Sequence, residues 1–182
     1  MPSGNTHDRI TLWTLPWIVG ISYGLTRNSG LTLILSGGYL FSGLMFGPDL
    51  DIRSIQYKRW GFLKGIWIPY RMFFRHRSLF THGPIIGTCI RVLYLFMVIA
   101  WLAILLVGIA QLFWGFPWNW HKFVLDKSYL LTHKYLKETM ALLLGLELGA
   151  MSHSISDFIS SRHKKRLQKK QAKTAKITQV KR

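Results

Sequence analysis

Six side chains of metal-ligating type sit in four short clusters along this chain. They are His7 in T-H-D, Asp49 and Asp51 in G-P-D-L-D, His82 in R-H-R-S-L-F-T-H-G, and His153 with Asp157 in S-H-S-I-S-D. Each cluster borders a hydrophobic stretch. The whole chain has only seven acidic residues, and three of them are among these six side chains. Imidazole nitrogen with carboxylate oxygen is the ligand set of zinc, manganese and non-haem iron sites. The single cysteine, Cys89, excludes an internal disulfide and a cysteine-rich zinc finger. A divalent ion, zinc, manganese or iron, is therefore the expected cofactor, held by His7, Asp49, Asp51, His82, His153 and Asp157. Six ligands with three carboxylates suit one octahedral ion or a close pair sharing a bridging Asp.

Each cluster also has a plainer reading. His153 and Asp157 are four residues apart, which stacks them on one helix face, as a histidine and a salt-bridging Asp would be. Asp49-x-Asp51 after Gly47-Pro48 suits turn and cap chemistry. His82 before Gly83-Pro84 suits an interfacial histidine. His76 is six residues before His82, off helical register, so it ligates only if the segment is irregular. Arg77 suits either orienting an Asp or bidentate capture of an anionic phosphate. His121, His133 and His163 fall outside the clusters and read as structural or surface residues.

The elements that must position these residues are hydrophobic. Of 182 residues, 49% are apolar, while Lys and Arg give a formal charge of +17. Eight Trp and eleven Phe with that charge predict a chain that places apolar surface in lipid. Four hydrophobic segments stand out: Ile10 to Thr26, Asn28 to Pro48, Pro84 to about Trp114, and Thr139 to Ser152. The third has no charge from Val92 to Trp114, enough at ~1.5 Å per residue for a ~30 Å hydrocarbon core. The fourth is too short to span alone and reads as continuing a helix begun near Lys127; it contains Glu147, which faces inward if Asp157 does and whose partner could be Arg91. Ile52 to Thr81 alternates aromatic and basic residues, as an interfacial amphipathic helix would, or short helices over the bundle mouth. The expected fold is all-α: a membrane-embedded bundle of about four hydrophobic segments with an amphipathic interfacial region and a disordered basic tail. The domain division is 1–160 for the metal-binding bundle and 161–182 for the polybasic tail.

Charge placement predicts orientation. If the N-terminus, the 48–83 loop and the tail share a side, that side carries eighteen Lys or Arg and the other five. The positive-inside bias makes the crowded side cytoplasmic, with both termini there and Trp114, Trp118 and Trp120 as the aromatic belt opposite. All four clusters then land on the cytoplasmic face. No basic n-region precedes Ile10, so the first segment reads as retained rather than as a cleaved signal. The tail, with ten basic residues and no acid from Arg162 on, fits attraction to anionic lipid heads. Without interleaved aromatics or a recognition motif it does not read as a nucleic-acid binder.

With these residues in place, the chain resembles two families. One is the membrane-bound metal-dependent hydrolases found among SOS-regulated inner-membrane proteins. Their pattern is an N-terminal His, a P-D-x-D turn, an H-R-x-x-T-H block and a later H-x-x-x-D. It reads here as His7, Pro48 to Asp51, His76 to His82 with one extra residue, and His153 to Asp157. The other is a largely cyanobacterial-type family of uncharacterised metal-binding proteins, resembled through F-G-P-D-L-D, Y-K-R-W-G, W-I-P-Y-R, H-R-S-L-F-T-H-G-P and G-T-C-I-R-V-L-Y. The resemblance spans about residues 5 to 160 and implies metal binding. Hydrolase activity is a prediction for the wider superfamily, and the T-H-S of relatives is T-H-G here, one hydroxyl fewer.

Two functions follow as expectations. One is a metal-dependent hydrolase acting on a phosphoester or lipid-linked substrate at the cytoplasmic face, with Asp49, Asp51 and Arg77 in catalytic roles. The other is a non-catalytic membrane protein whose structural metal pins helix ends together. A transporter fits least, since only Arg91 and Glu147 are charged within the hydrophobic segments.

Overall fold

The chain folds as helices, and no strand forms among the described residues. The computed structural model describes residues 4–76 and 78–180, without side chains at 4–5, 163–165, 169–170 and 172–180. Helix α1 (Gly4–Thr26) contains Pro16. It stops at Arg27, whose positive φ of 50° is a conformation L-residues resist in a helix. Helix α2 (Ser29–Leu44) restarts at once, because Asn28 Oδ1 accepts the Leu31 N–H at 3.0 Å and so caps the new helix. A 3-10 turn (Pro48–Asp51) follows, then α3 (Ile55–Arg59), a second 3-10 segment (Gly61–Ile66), α4 (Trp67–Phe73) and the single turn α5 (Leu79–His82). Helix α6 (Ile86–Trp114) ends at Gly115, which takes the left-handed conformation that closes a helix. Helix α7 (Trp120–Tyr129), a π turn (Leu130–Lys134) and the long α8 (Leu136–Val180) complete the chain.

The frame is an α1–α2–α8 bundle in which α2 packs most extensively on α8. Small residues permit that contact. A Cβ on Gly145 would stand 2.1 Å from the Leu35 carbonyl oxygen, and one on Gly149 would stand 2.5 Å from the Tyr39 carbonyl oxygen. Gly145 and Gly149 are four apart on α8, the small-xxx-small spacing that lets two helix backbones approach closely. The five short elements between α2 and α6 fold over one end of the bundle. There Phe46, Leu50, Tyr57, Trp67, Tyr70 and Leu146 form the buried core. Trp67 sits at its centre, with its ring 5.6 Å from those of both Phe46 and Tyr70. Of the two readings of the 52–81 stretch, short helices over the bundle mouth are what forms. Helix α6 makes few contacts with α8.

Two of the four hydrophobic segments are long and apolar enough to cross a membrane by length and composition. These are Ser29–Asp51, with mean hydropathy 1.4, and Ile86–Trp114, with mean hydropathy 2.8. Two expectations change. The fourth segment does not continue a helix from Lys127, since the chain breaks at Tyr135, whose N–H bonds the Leu130 carbonyl. The basic tail is not disordered backbone but a continuation of α8 to Val180, running through the expected boundary at 160. Residues 151–180 contain no Gly or Pro and are rich in straight-chain Lys, Arg and Gln, so nothing local stops the helix.

Candidate metal centre

The four clusters meet at the capped end of the bundle, each delivered by a different element. His7 lies one turn inside α1, Asp49 and Asp51 on the 3-10 turn, His82 at the end of α5, and His153 with Asp157 on consecutive turns of α8. Pro48 starts the 3-10 turn and Gly47 lets it dock, because a Cβ there would fall 2.4 Å from Gln56 Nε2. Gln56 is buried and donates to the Gly43 carbonyl at 2.8 Å, so α3, which follows the turn carrying both aspartates, is tied to the end of α2.

Two triads result. His7, His153 and Asp157, all buried, each present a ligand atom within 4.8 Å of the other two. Asp49, His76 and His82 do the same. Ligands ~2.1 Å from a shared ion stand at most ~4.2 Å apart, so each triad needs only a small contraction to close on one. Asp49 joins the triads: its Oδ2 is 3.2 Å from His153 Nε2 and its Oδ1 3.6 Å from His82 Nε2. His7 Nε2 is 3.3 Å from Asp157 Oδ1, and the His7 ring stacks on His153 at 3.9 Å between centroids.

The fit to a metal rests on the polar atoms left over. His7 Nδ1, both His153 ring nitrogens, His76 Nε2, His82 Nε2, Asp49 Oδ1, Asp51 Oδ2 and both Asp157 oxygens are buried without a hydrogen bond. Buried polar groups are normally paired, and each orphan costs about 1–3 kcal/mol. Nine such orphans, all of ligand type, gather from α1, the 3-10 turn, the 74–78 stretch, α5 and α8, and a pocket that binds ions leaves groups of this kind unpaired. Burial pushes the Asp157 carboxyl up, but the His7 and His153 imidazoles outweigh it and hold the group below its ordinary value. That carboxyl is therefore anionic, as a ligand must be.

Hydrogen bonds outside the cluster fix which ring nitrogens face inward. Asp51 Oδ1 is 2.9 Å from His76 Nδ1, leaving His76 Nε2 for the pocket. Thr81 Oγ1 is 3.0 Å from His82 Nδ1, leaving His82 Nε2. Asp51 is thus placed behind a histidine rather than among the converging tips, an arrangement common around metal-bound histidines. Thr81 is itself held, since its carbonyl accepts from the buried Arg91 Nη1 at 2.8 Å. Arg59 forks onto both Asp8 oxygens and also donates to the Leu44 carbonyl, tying the start of α1, beside His7, to α3 and the end of α2.

All six expected ligands therefore gather at one place, with Asp51 behind His76. His76 joins them, although its spacing from His82 argued against a shared helix face. The backbone leaves helical geometry at Phe74, so helical register does not govern that stretch. Arg77 lies outside the described residues. Glu147 does face inward, but its Oε1 accepts the Ile85 N–H at 2.9 Å and no ion pair to Arg91 forms among the described residues. His121 and His133 are exposed and distant.

No solved structure matches this chain. An uncharacterized protein of Aquifex aeolicus (strain VF5) is 44% identical over 59 residues, which is 32% of this chain and 41% of the relative. The chain thus aligns with about two fifths of that curated relative's length. A family model described as Uncharacterized metal-binding protein (DUF2227) matches residues 2–167, which contain every residue of the two triads. The chain belongs to this uncharacterized metal-binding protein family.

Proposed function

We propose that the protein is a membrane-embedded hydrolase of phosphoesters, using a pair of divalent ions held by the two triads. The observation that carries this reading is Asp49, whose two carboxylate oxygens face different triads. A carboxylate so placed suits a bridge between two ions better than a ligand to one. His7, His153 and Asp157 would hold one ion, His76 and His82 the other, and Asp49 both, while Asp51 keeps His76 oriented. Bound divalent ions supply Lewis-acid chemistry, acidifying water and neutralising charge on a phosphoryl oxygen. The chain's own part is to fix ligand number and direction in a buried site and to leave a mouth open. Arg77, next to His76 in sequence, is a candidate for holding the substrate anion. Kinship with the cyanobacterial-type family and the SOS-regulated membrane hydrolases belongs to this same reading.

Membrane embedding is supported by α6, which is uncharged after Arg91 and exposes Phe96, Trp101, Leu112 and Phe113 on its surface. The eighteen-to-five distribution of basic residues supports a cytoplasmic site, both termini on that side and contact of the basic tail with anionic lipid. A second reading has its own observation: the triads draw on α1, α5, α8 and the turn after α2, so ions there would also clamp helix ends as structural metals do.

Metal analysis of detergent-purified protein, followed by phosphoester turnover with and without chelator, tests both. Asp49→Ala and His153→Ala should each lose metal and turnover together. Bound metal with no turnover on any phosphoester would leave the structural reading standing. Unchanged metal content in both variants would remove the centre altogether.

A further inference from the structure

The cluster opens through two mouths of different character. One is a cavity of about 250 Å3 between α1, α3 and α8, floored by His7, Asp49, His153 and Asp157. The other, about 300 Å3, is lined by His82, Ser154, Asp157, Phe158 and Ser161, with no cation in its wall. Arg53 and Lys58 line the first. Two other basic residues of this segment are engaged: Arg59 is paired with Asp8, and Arg71 lies over the Tyr57 ring at 4.8 Å. Arg53 and Lys58 make neither an ion pair nor a side-chain hydrogen bond among the described residues. Of the unpaired cations of this segment among the described residues, Arg53 and Lys58 line the cavity, while Lys64 and Arg75 do not.

We propose that Arg53 and Lys58 bind the phosphoryl group of the substrate in this cavity, above the His7, His153 and Asp157 triad. The inference rests on the metal-dependent reading of the site and adds the mouth used and the residues that hold the anion. Arg offers a planar fork to phosphate oxygens and Lys a point charge, the pair of donors that such a group takes. Ligand pockets for whole molecules run from roughly 300 Å3 upward, so this cavity suits a small charged end rather than an entire substrate. The rest of the molecule stays outside the mouth. A phosphomonoester end could belong to a lipid or to a soluble metabolite, and both present the same dianion.

The test is calorimetric titration of full-length, metal-loaded protein in detergent with inorganic phosphate. Arg53→Gln and Lys58→Gln should each weaken phosphate binding by about tenfold, the scale of one charge-assisted hydrogen bond, with metal content as in wild type. Arg53→Lys should recover part of the loss, and Lys64→Gln, on the neighbouring 3-10 segment, should bind as wild type. Both target side chains are exposed, so the variants should fold, and their thermal transitions check this. Phosphate affinity unchanged in the double variant, with metal retained, overturns the inference while leaving the metal centre intact. Wild-type protein that retains no metal overturns the reading beneath it, and the inference with it. Repeating the titration with glycerol phosphate and with phosphatidic acid in mixed micelles identifies the source. Tighter, Arg53-dependent binding of the micelles means a lipid substrate, and equal affinities mean a soluble one.

Discussion

Asp51 and His76 show how much a single side chain's direction decides. Asp51 looks like a ligand in the sequence, yet its Oδ1 is engaged by His76 Nδ1. Asp51→Asn should keep the turn but hold the imidazole less firmly and make it less basic. Metal affinity, followed by competition with a chelating dye, should fall roughly 10- to 100-fold. His76→Ala should lose metal as fully as His82→Ala, and retention of full metal content would remove His76 from the triad. Acid should act through Asp157 in the metal-free protein. Its folded pKa lies below the unfolded value of ~3.9, so the stability it contributes is fully present above that value and lost as pH falls through the folded pKa. Asp157→Asn should therefore flatten the acid limb of the unfolding curve below about pH 4 while leaving the neutral region's slope unchanged.

The α2–α8 contact is the element on which the site's geometry depends, because α8 carries His153 and Asp157 and α2 leads into the turn with Asp49. Gly145→Ala would drive a methyl group into backbone atoms of Leu35 and Tyr39. Overpacking of this kind costs about 1–3 kcal/mol. That corresponds to a fall of a few degrees or more in the melting temperature of a chain this size. Metal content should drop with it, since moving α8 separates the triads. Gly20→Ala is the control: a Cβ there meets nothing within 4 Å, so it should be neutral or slightly stabilising in the helix. Equal effects at both positions would show that the close approach carries no stability.

For the molecule as a whole, ions that bind only the folded chain should raise its stability by linkage. At a hundredfold excess over the dissociation constant the gain is about 2.7 kcal/mol. Chelator should lower the melting temperature of wild type and have no such effect on His153→Ala, as read by differential scanning fluorimetry in detergent. Orientation has a separate readout. Reporters fused at Lys181 and inserted at residues 119–127 should mark opposite sides of the membrane, with Lys181 cytoplasmic. Reporters on the same side would remove the orientation argument.

The helical class, the apolar span of α6 and the metal-ligand chemistry were legible in residue type and spacing, because composition, hydropathy and ligand identity are local properties. His153 and Asp157 share a face through helical period alone. Other features depend on contacts between distant segments. His76 enters the cluster only because the chain leaves helical geometry after Phe73, which a periodicity argument cannot anticipate. Asp51 moves behind it because the 3-10 turn is anchored by Gln56 and Gly47, residues with no chemical signature of their own. The role of Gly145 and Gly149 shows only when the Leu35 and Tyr39 backbones are seen against them. The division of labour between Asp49 and Asp51, two positions apart, is decided by which oxygen meets which imidazole. That direction in space is set by the packing of five elements and by no property of either residue alone.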